Sequence, residues 1–99
     1  MSLTDSQRHH LRRLGHHLKP VVRTGNAGLS EAVLNELDIA LRDHELVKVK
    51  LVAGDRDERR QFVEIIEERL GAELVQSVGH VALLYRPNPE KKGNRIALP

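Results

Sequence analysis

The sequence predicts an α/β domain with the order α-β-α-β-α-β-β around a four-stranded mixed sheet. Three observations lead there: three stretches with helical spacing of apolar residues, four short β-rich runs between or after them, and glycines at the junctions. Strands separated by helices favour parallel pairing, whereas the last two runs, only two residues apart, pair as an antiparallel hairpin. A chain of 99 residues holds one modest core. The expected division is one domain over residues 1–87 and a flexible basic tail over 88–99.

Thr4 and Gln7 have the spacing of a capping box, and Leu11, Leu14 and Leu18 recur along one face, which predicts a helix over about residues 5–17. Pro20 ends it. Val21 to Thr24 is a β-branched run entering a turn at Gly25-Asn26-Ala27-Gly28. Ser30 is the expected N-cap of the second helix, with Glu31 in its first turn and Val33, Leu34, Leu37 and Leu41 as the buried stripe. Asp43-His44-Glu45 closes that helix. From Leu46 to Val52 the period is two, with Val47, Val49 and Leu51 on one face and Lys48 and Lys50 on the other. Asp55 caps a third helix over 56–70, whose expected stripe is Phe62, Ile65, Ile66 and Leu70, and Gly71 stands as its C-terminal stop. Glu73 to Val78 and Val81 to Arg86 flank Gly79-His80, a pair suited to a type II′ turn. From Pro87 onward two prolines, a glycine and a basic cluster support no element.

The composition, 39% hydrophobic and 30% charged, lies in the globular range. With no cysteine, disulfides, thiolate chemistry and cysteine-based metal sites are excluded. There is no export signal and no apolar run long enough to span a bilayer, so a cytoplasmic setting without membrane contact is expected. The net charge of +2 hides a sorting: residues 1–25 carry five Lys/Arg against one acid, and residues 84–99 carry four against one. The middle is acidic. Basic ends point to a polyanionic partner, although a charge run also serves as a solvated face.

Gly25-Asn26-Ala27-Gly28 is the most informative local feature. Two glycines allow positive φ and a close approach of backbone N–H groups, and a helix start follows directly, which together suit an anionic oxygen. The alternative is a plain strand-to-helix turn. A P-loop is excluded by the missing Lys-Ser/Thr and the short loop. On the first helix Arg8, Arg12 and Arg13 share an arc with His9 and His16 opposite the leucines, and arginine's planar fork matches phosphate. Lys19, Arg23, Lys48, Lys50 and Arg86 extend the candidate surface. Two structural readings stand beside this one: Lys48 and Lys50 as guards of an exposed strand edge, and Arg86 as the partner of an acid.

The six histidines include His9/His16 and His10/His17, but a seven-residue gap is too long for one ion, and no metal site is expected. No nucleophile-base pair can be proposed, so neither an enzyme, a cofactor nor a small-molecule substrate is expected. Phe62 on a core stripe and Tyr85 are the only aromatics, which excludes base-stacking platforms and leaves backbone clamping of the KH type.

The segments LTDSQRHHLRRLGHHLKPVVRTG, GNAGLSEAVLNEL, HELVKVKL and VQSVGHVALLYRP, in this order from Leu3 to Pro87, resemble the YhbY family, single-domain members of the CRM (chloroplast RNA splicing and ribosome maturation) group. The resemblance implies a fold similar to the C-terminal domain of initiation factor three, an RNA-contacting GxxG loop at Gly25, Asn26, Ala27 and Gly28, and association with precursors of the large ribosomal subunit and their rRNA. The expected function is ribosome assembly by RNA binding. Its rivals are a general RNA chaperone or splicing module, and a protein-interaction adaptor on the ribosome.

Overall fold

Each helix starts where a side chain can take up a first-turn N–H. In the computed structural model, which describes residues 2–91, 93 and 95–99, Thr4 forms a complete capping box with Gln7 at the head of α1 (Asp5–Gly15). Ser30 Oγ accepts from Val33 N at 3.2 Å to open α2 (Glu31–His44). Asp55 Oδ1 accepts from Glu58 N at 2.8 Å to open α3 (Arg56–Leu70), and Gly71 at φ 67° closes it. The strands are β1 (Pro20–Arg23), β2 (Leu46–Lys50), β3 (Glu73–Val78) and β4 (Val81–Tyr85). The predicted fold class is thus found.

The sheet order is β1-β2-β4-β3, with β1 parallel to β2 and the other pairs antiparallel. Gly79 has φ 58° and His80 has no positive φ, consistent with the type II′ reading of that turn. Because β2 lies inside the sheet, Lys48 and Lys50 are not guarding an edge.

Alternation gives the sheet two covered faces. Val22, Val47, Val49, Ala82 and Leu84 pack against Leu34, Leu37 and Leu41 of α2 and Val63 and Ile66 of α3. On the other face Leu46, Val75, Leu83 and Tyr85 pack against Leu3 and Leu11. Gly15 is needed there: a Cβ would stand 2.6 Å from Leu83 Cδ2, so only glycine lets the end of α1 close on β4.

Two predicted stripes are corrected. On α3 Val63 is buried in place of Ile65, which is exposed, because the helix faces the sheet through Val63 and Ile66 and turns Phe62 towards the GNAG turn. Of the predicted α1 stripe only Leu11 is buried. Leu14 faces outward within the helix and Leu18 lies beyond its end at Gly15, and both stay exposed along a groove with Val21 and Ile96.

The described part of the tail forms no helix or strand, but Asn88 N and Ile96 N donate to the buried Glu45 carboxylate at 2.7 and 2.9 Å. Met1, Lys92 and Asn94 lie outside the described residues.

Candidate nucleic-acid interface

The register divides the sheet into two ends. Arg23 stands beside Lys50, Lys50 opposite Val81 and Val81 opposite Val78 at one end, while Leu46, Tyr85 and Glu73 form the row at the other. Three loops meet at the first end. Thr24 is buried, and its hydroxyl accepts from Val52 N at 2.7 Å and donates to Val52 O at 3.2 Å, fixing the start of the Gly25–Gly28 turn to the exit of β2. Leu51 N donates to His80 O at 2.6 Å, which fixes the same exit to the β3–β4 turn.

Within the GNAG turn, Gly28 N donates to Gly25 O at 3.0 Å. Gly28 has φ 69°, the left-handed region that glycine enters without penalty, and a Cβ there would touch Phe62 at 3.5 Å. Gly25 differs from the expectation, since its φ is not positive. No protein atom lies within 4 Å of where its Cβ would be, so the backbone is open to a close approach. Asn26 and Ala27 are both exposed at the rim of this turn. The start of α2 lies three residues on from Gly28, its first-turn N–H groups only partly satisfied by Ser30. The acid in that turn, Glu31, is held by Arg69 at 2.9 Å, and this hydrogen bond, reinforced by the guanidinium charge, holds the Glu31 carboxyl below its usual range.

The sequence-predicted cations separate into two groups. Lys48 and Lys50 lie on the α1 side of the sheet, opposite in alternation to Val47 and Val49, and Arg23 shares that side beside Lys50. Lys19 precedes β1 and is exposed. Arg12 and Arg13 are exposed on α1, where Arg12 meets His9 Nδ1 at 3.3 Å, and they border a shallow hollow with His16 and Gln76. Among the described residues none of these six has an acid within 4 Å.

Arg8 and Arg86 belong elsewhere. Arg8 Nη2 pairs with Glu73 Oε2 at 2.8 Å, and its Nη1 donates to Leu74 O, fastening α1 to β3. Arg86 Nη1 donates to Asp38 Oδ1 at 2.7 Å and Leu70 O at 2.9 Å, and its Nη2 to Asp38 O at 3.0 Å, joining the end of β4 to α2 and α3. Both sit at the end of the sheet away from the GNAG turn, so the reading of Arg86 as the partner of an acid is the one its geometry supports.

Arg56, Arg59 and Arg60 are not among the cations that the sequence singles out. Their spacing on α3 was readable, but the acids Asp55, Asp57 and Glu58 beside them average the local charge away. Among the described residues no helix is long and apolar enough to cross a membrane, and no group of three His, Cys, Asp or Glu side chains gathers as a metal site would require.

The family model described as the CRS1/YhbY (CRM) domain matches residues 3–86. The chain belongs to this family. Among relatives of this CRM domain, one from Pseudomonas aeruginosa named a probable RNA-binding protein is 47% identical over 94 residues, covering 95% of this chain and 90% of the relative. Another, from Haemophilus influenzae and named an RNA-binding protein, is 43% identical over 91 residues, covering 92% of each chain. The solution structure of a hypothetical protein from Staphylococcus aureus, described as a candidate RNA binder, superposes on the CRM domain with a TM-score of 0.82 at 31% identity, covering 99% of this chain and all of the other.

Proposed function

We propose that this CRM domain binds RNA by its sugar-phosphate backbone, at the end of the sheet that carries the GNAG turn, and acts in assembly of the large ribosomal subunit by occupying an rRNA segment of its precursor. The observation that carries the binding is the cluster of acid-free cations there: Arg23, Lys48 and Lys50 on the sheet lead to the turn, and Lys19, Arg12 and Arg13 continue the surface along α1. Such cations displace the counterions condensed on a phosphate strand, a driving force that needs no base contact. Base stacking has no platform, since Tyr85 is buried and Phe62 lies under Gly28. The naming of the relatives as RNA-binding proteins supports the partner, and the family resemblance supports rRNA of the large subunit.

The domain works by occupancy, without turnover, cofactor or small-molecule substrate, in the cytoplasm. Sedimentation of cell extract tests the ribosomal part. The protein is expected with the large subunit or its precursors, sparse on mature 70S ribosomes and released by high salt; a protein found free, or spread over all RNA as a general chaperone would be, overturns it. The adaptor reading draws on the apolar groove of Leu14, Leu18 and Val21, and it predicts retention on subunits in high salt.

A further inference from the structure

Beyond the GNAG turn, on the side away from α1, lies a second surface of acid-free arginines. Arg56, Arg59 and Arg60 recur at i, i+3 and i+4, which brings them onto one face of α3. They border a cleft of about 530 Å³ between α3 and the β3–β4 turn, with Val63 and Ala82 in its floor. Among the described residues none of the three has an acid within 4 Å. Of their side chains, Arg59 Nη1 lies 3.3 Å from His80 Nδ1. Elsewhere in the molecule Arg8, Arg42, Arg69, Arg86 and Arg95 each stand within 4.0 Å of a carboxylate.

The acids that border the cleft are Glu64 and Glu67, one and two helical turns further along α3 from Arg60, and Glu67 is engaged by Leu74 N at 3.2 Å. Arg56 and Arg59, nearer the start of α3, mark the end of the cleft further from Glu67. That end is tied to the proposed RNA surface: Phe62 packs under Gly28, and the Leu51–Val52 segment bonds to both His80 and Thr24.

We propose that this cleft is a second phosphate-binding site for the same RNA strand, so that the strand crosses the GNAG turn and has another backbone phosphate held by Arg56, Arg59 and Arg60. Planar guanidinium forks lining one cleft suit the tetrahedral array of phosphate oxygens better than point charges would. The inference rests on the RNA-binding reading, and it extends the footprint from one side of the turn to both.

The test is titration of the full chain with a labelled single-stranded RNA of about 12 nucleotides, three times the length that a GxxG loop clamps, over a range of salt. The triple variant Arg56→Gln/Arg59→Gln/Arg60→Gln is compared with Arg12→Gln/Arg13→Gln. Loss of one phosphate contact lowers the salt slope by about 0.7 and the affinity at 0.1 M salt by about fivefold, with little change on extrapolation to 1 M. The triple Arg→Lys variant is expected to keep most of the slope. An α3 triple that binds like the wild type, while the α1 double is weakened, overturns the inference and leaves RNA binding standing. Wild-type affinity in both overturns both. A triple that loses anionic vesicles but keeps RNA assigns the cleft to a membrane surface and also overturns the inference. If the Gln triple melts lower, the exposed single change Arg60→Glu supplies the same comparison.

Discussion

The two ends of the sheet use the same residue types to different purposes. At the end marked by Leu46, Tyr85 and Glu73, cations are matched: Arg8 to Glu73, Arg86 to Asp38, and Arg95 within 4.0 Å of Glu45. At the end marked by Arg23, Lys50 and the GNAG turn, Arg23, Lys48 and Lys50 stand without acids among the described residues, while the acid beside the turn, Glu31, is taken up by Arg69. A guanidinium with a carboxylate and two carbonyls around it fixes neighbouring elements and has few donors left. One with none keeps its hydrogen-bonding capacity for another molecule, and its removal costs the fold little. The comparison therefore assigns stability to one end and binding to the other, and each assignment can be broken.

The largest effect on stability is expected at Glu45. It is fully buried at φ 62°, a strained conformation for a residue with a side chain, and it is held from four directions: its N–H donates to Leu41 O, its C=O accepts from Arg86 N, and its carboxylate accepts from Asn88 N and Ile96 N. Glu45→Ala leaves the last two donors without an acceptor and is expected to cost about 3 kcal/mol in chemical denaturation. Glu45→Gln keeps one acceptor oxygen and is expected to cost about half of that. A neutral Glu45→Ala would remove the tail's anchor from the account.

Arg86→Gln comes next. Its three hydrogen bonds join three elements and its side chain is mostly covered, so a loss of roughly 2 kcal/mol, or about 10 °C in Tm, is expected. RNA affinity measured below the melting range should stay near the wild-type value. Weakened RNA binding at full stability would return Arg86 to the interface and blur the contrast between the ends.

The smallest effect is a pH dependence at the matched end. Burial, and then the negative charge of Glu45, push the Tyr85 hydroxyl above its ordinary pKa, an effect that Arg95 partly opposes. The unfolded chain loses this proton near pH 10, before the folded one does, so stability is fully present below about pH 10 and falls as pH rises beyond it. Tyr85→Phe should flatten that decline in thermal melts between pH 9 and 11, and an unchanged decline would place its cause elsewhere.

What the sequence made legible is local. Thr4, Ser30 and Asp55 announce their helices because a cap and its N–H are three residues apart, and Gly71 announces a stop for the same reason. One strand, Leu46 to Val52, followed from alternation and the other three from β-rich runs bounded by turn residues, and the GNAG turn from its glycines. Pairing across the chain was not legible: Arg86 meets Asp38 across 48 residues, Arg8 meets Glu73 across 65, and Glu45 meets Ile96 across 51. Only the fold decides which arginine finds a carboxylate, so a charge count could not separate clamps from free cations. The α3 stripe failed for a related reason. Phe62, Val63, Ile65 and Ile66 offer two overlapping apolar faces, and the position of the sheet selects the one with Val63.

The most direct test of the division of labour is a salt-dependent RNA titration of Asn26→Asp/Ala27→Asp, in which two carboxylates are placed on the rim of the GNAG turn without touching the core. The account predicts an unchanged melting temperature and RNA affinity reduced by about tenfold or more, with the repulsion strongest at low salt. A folded double mutant that binds RNA as tightly as the wild type would contradict the assignment of binding to this end of the molecule.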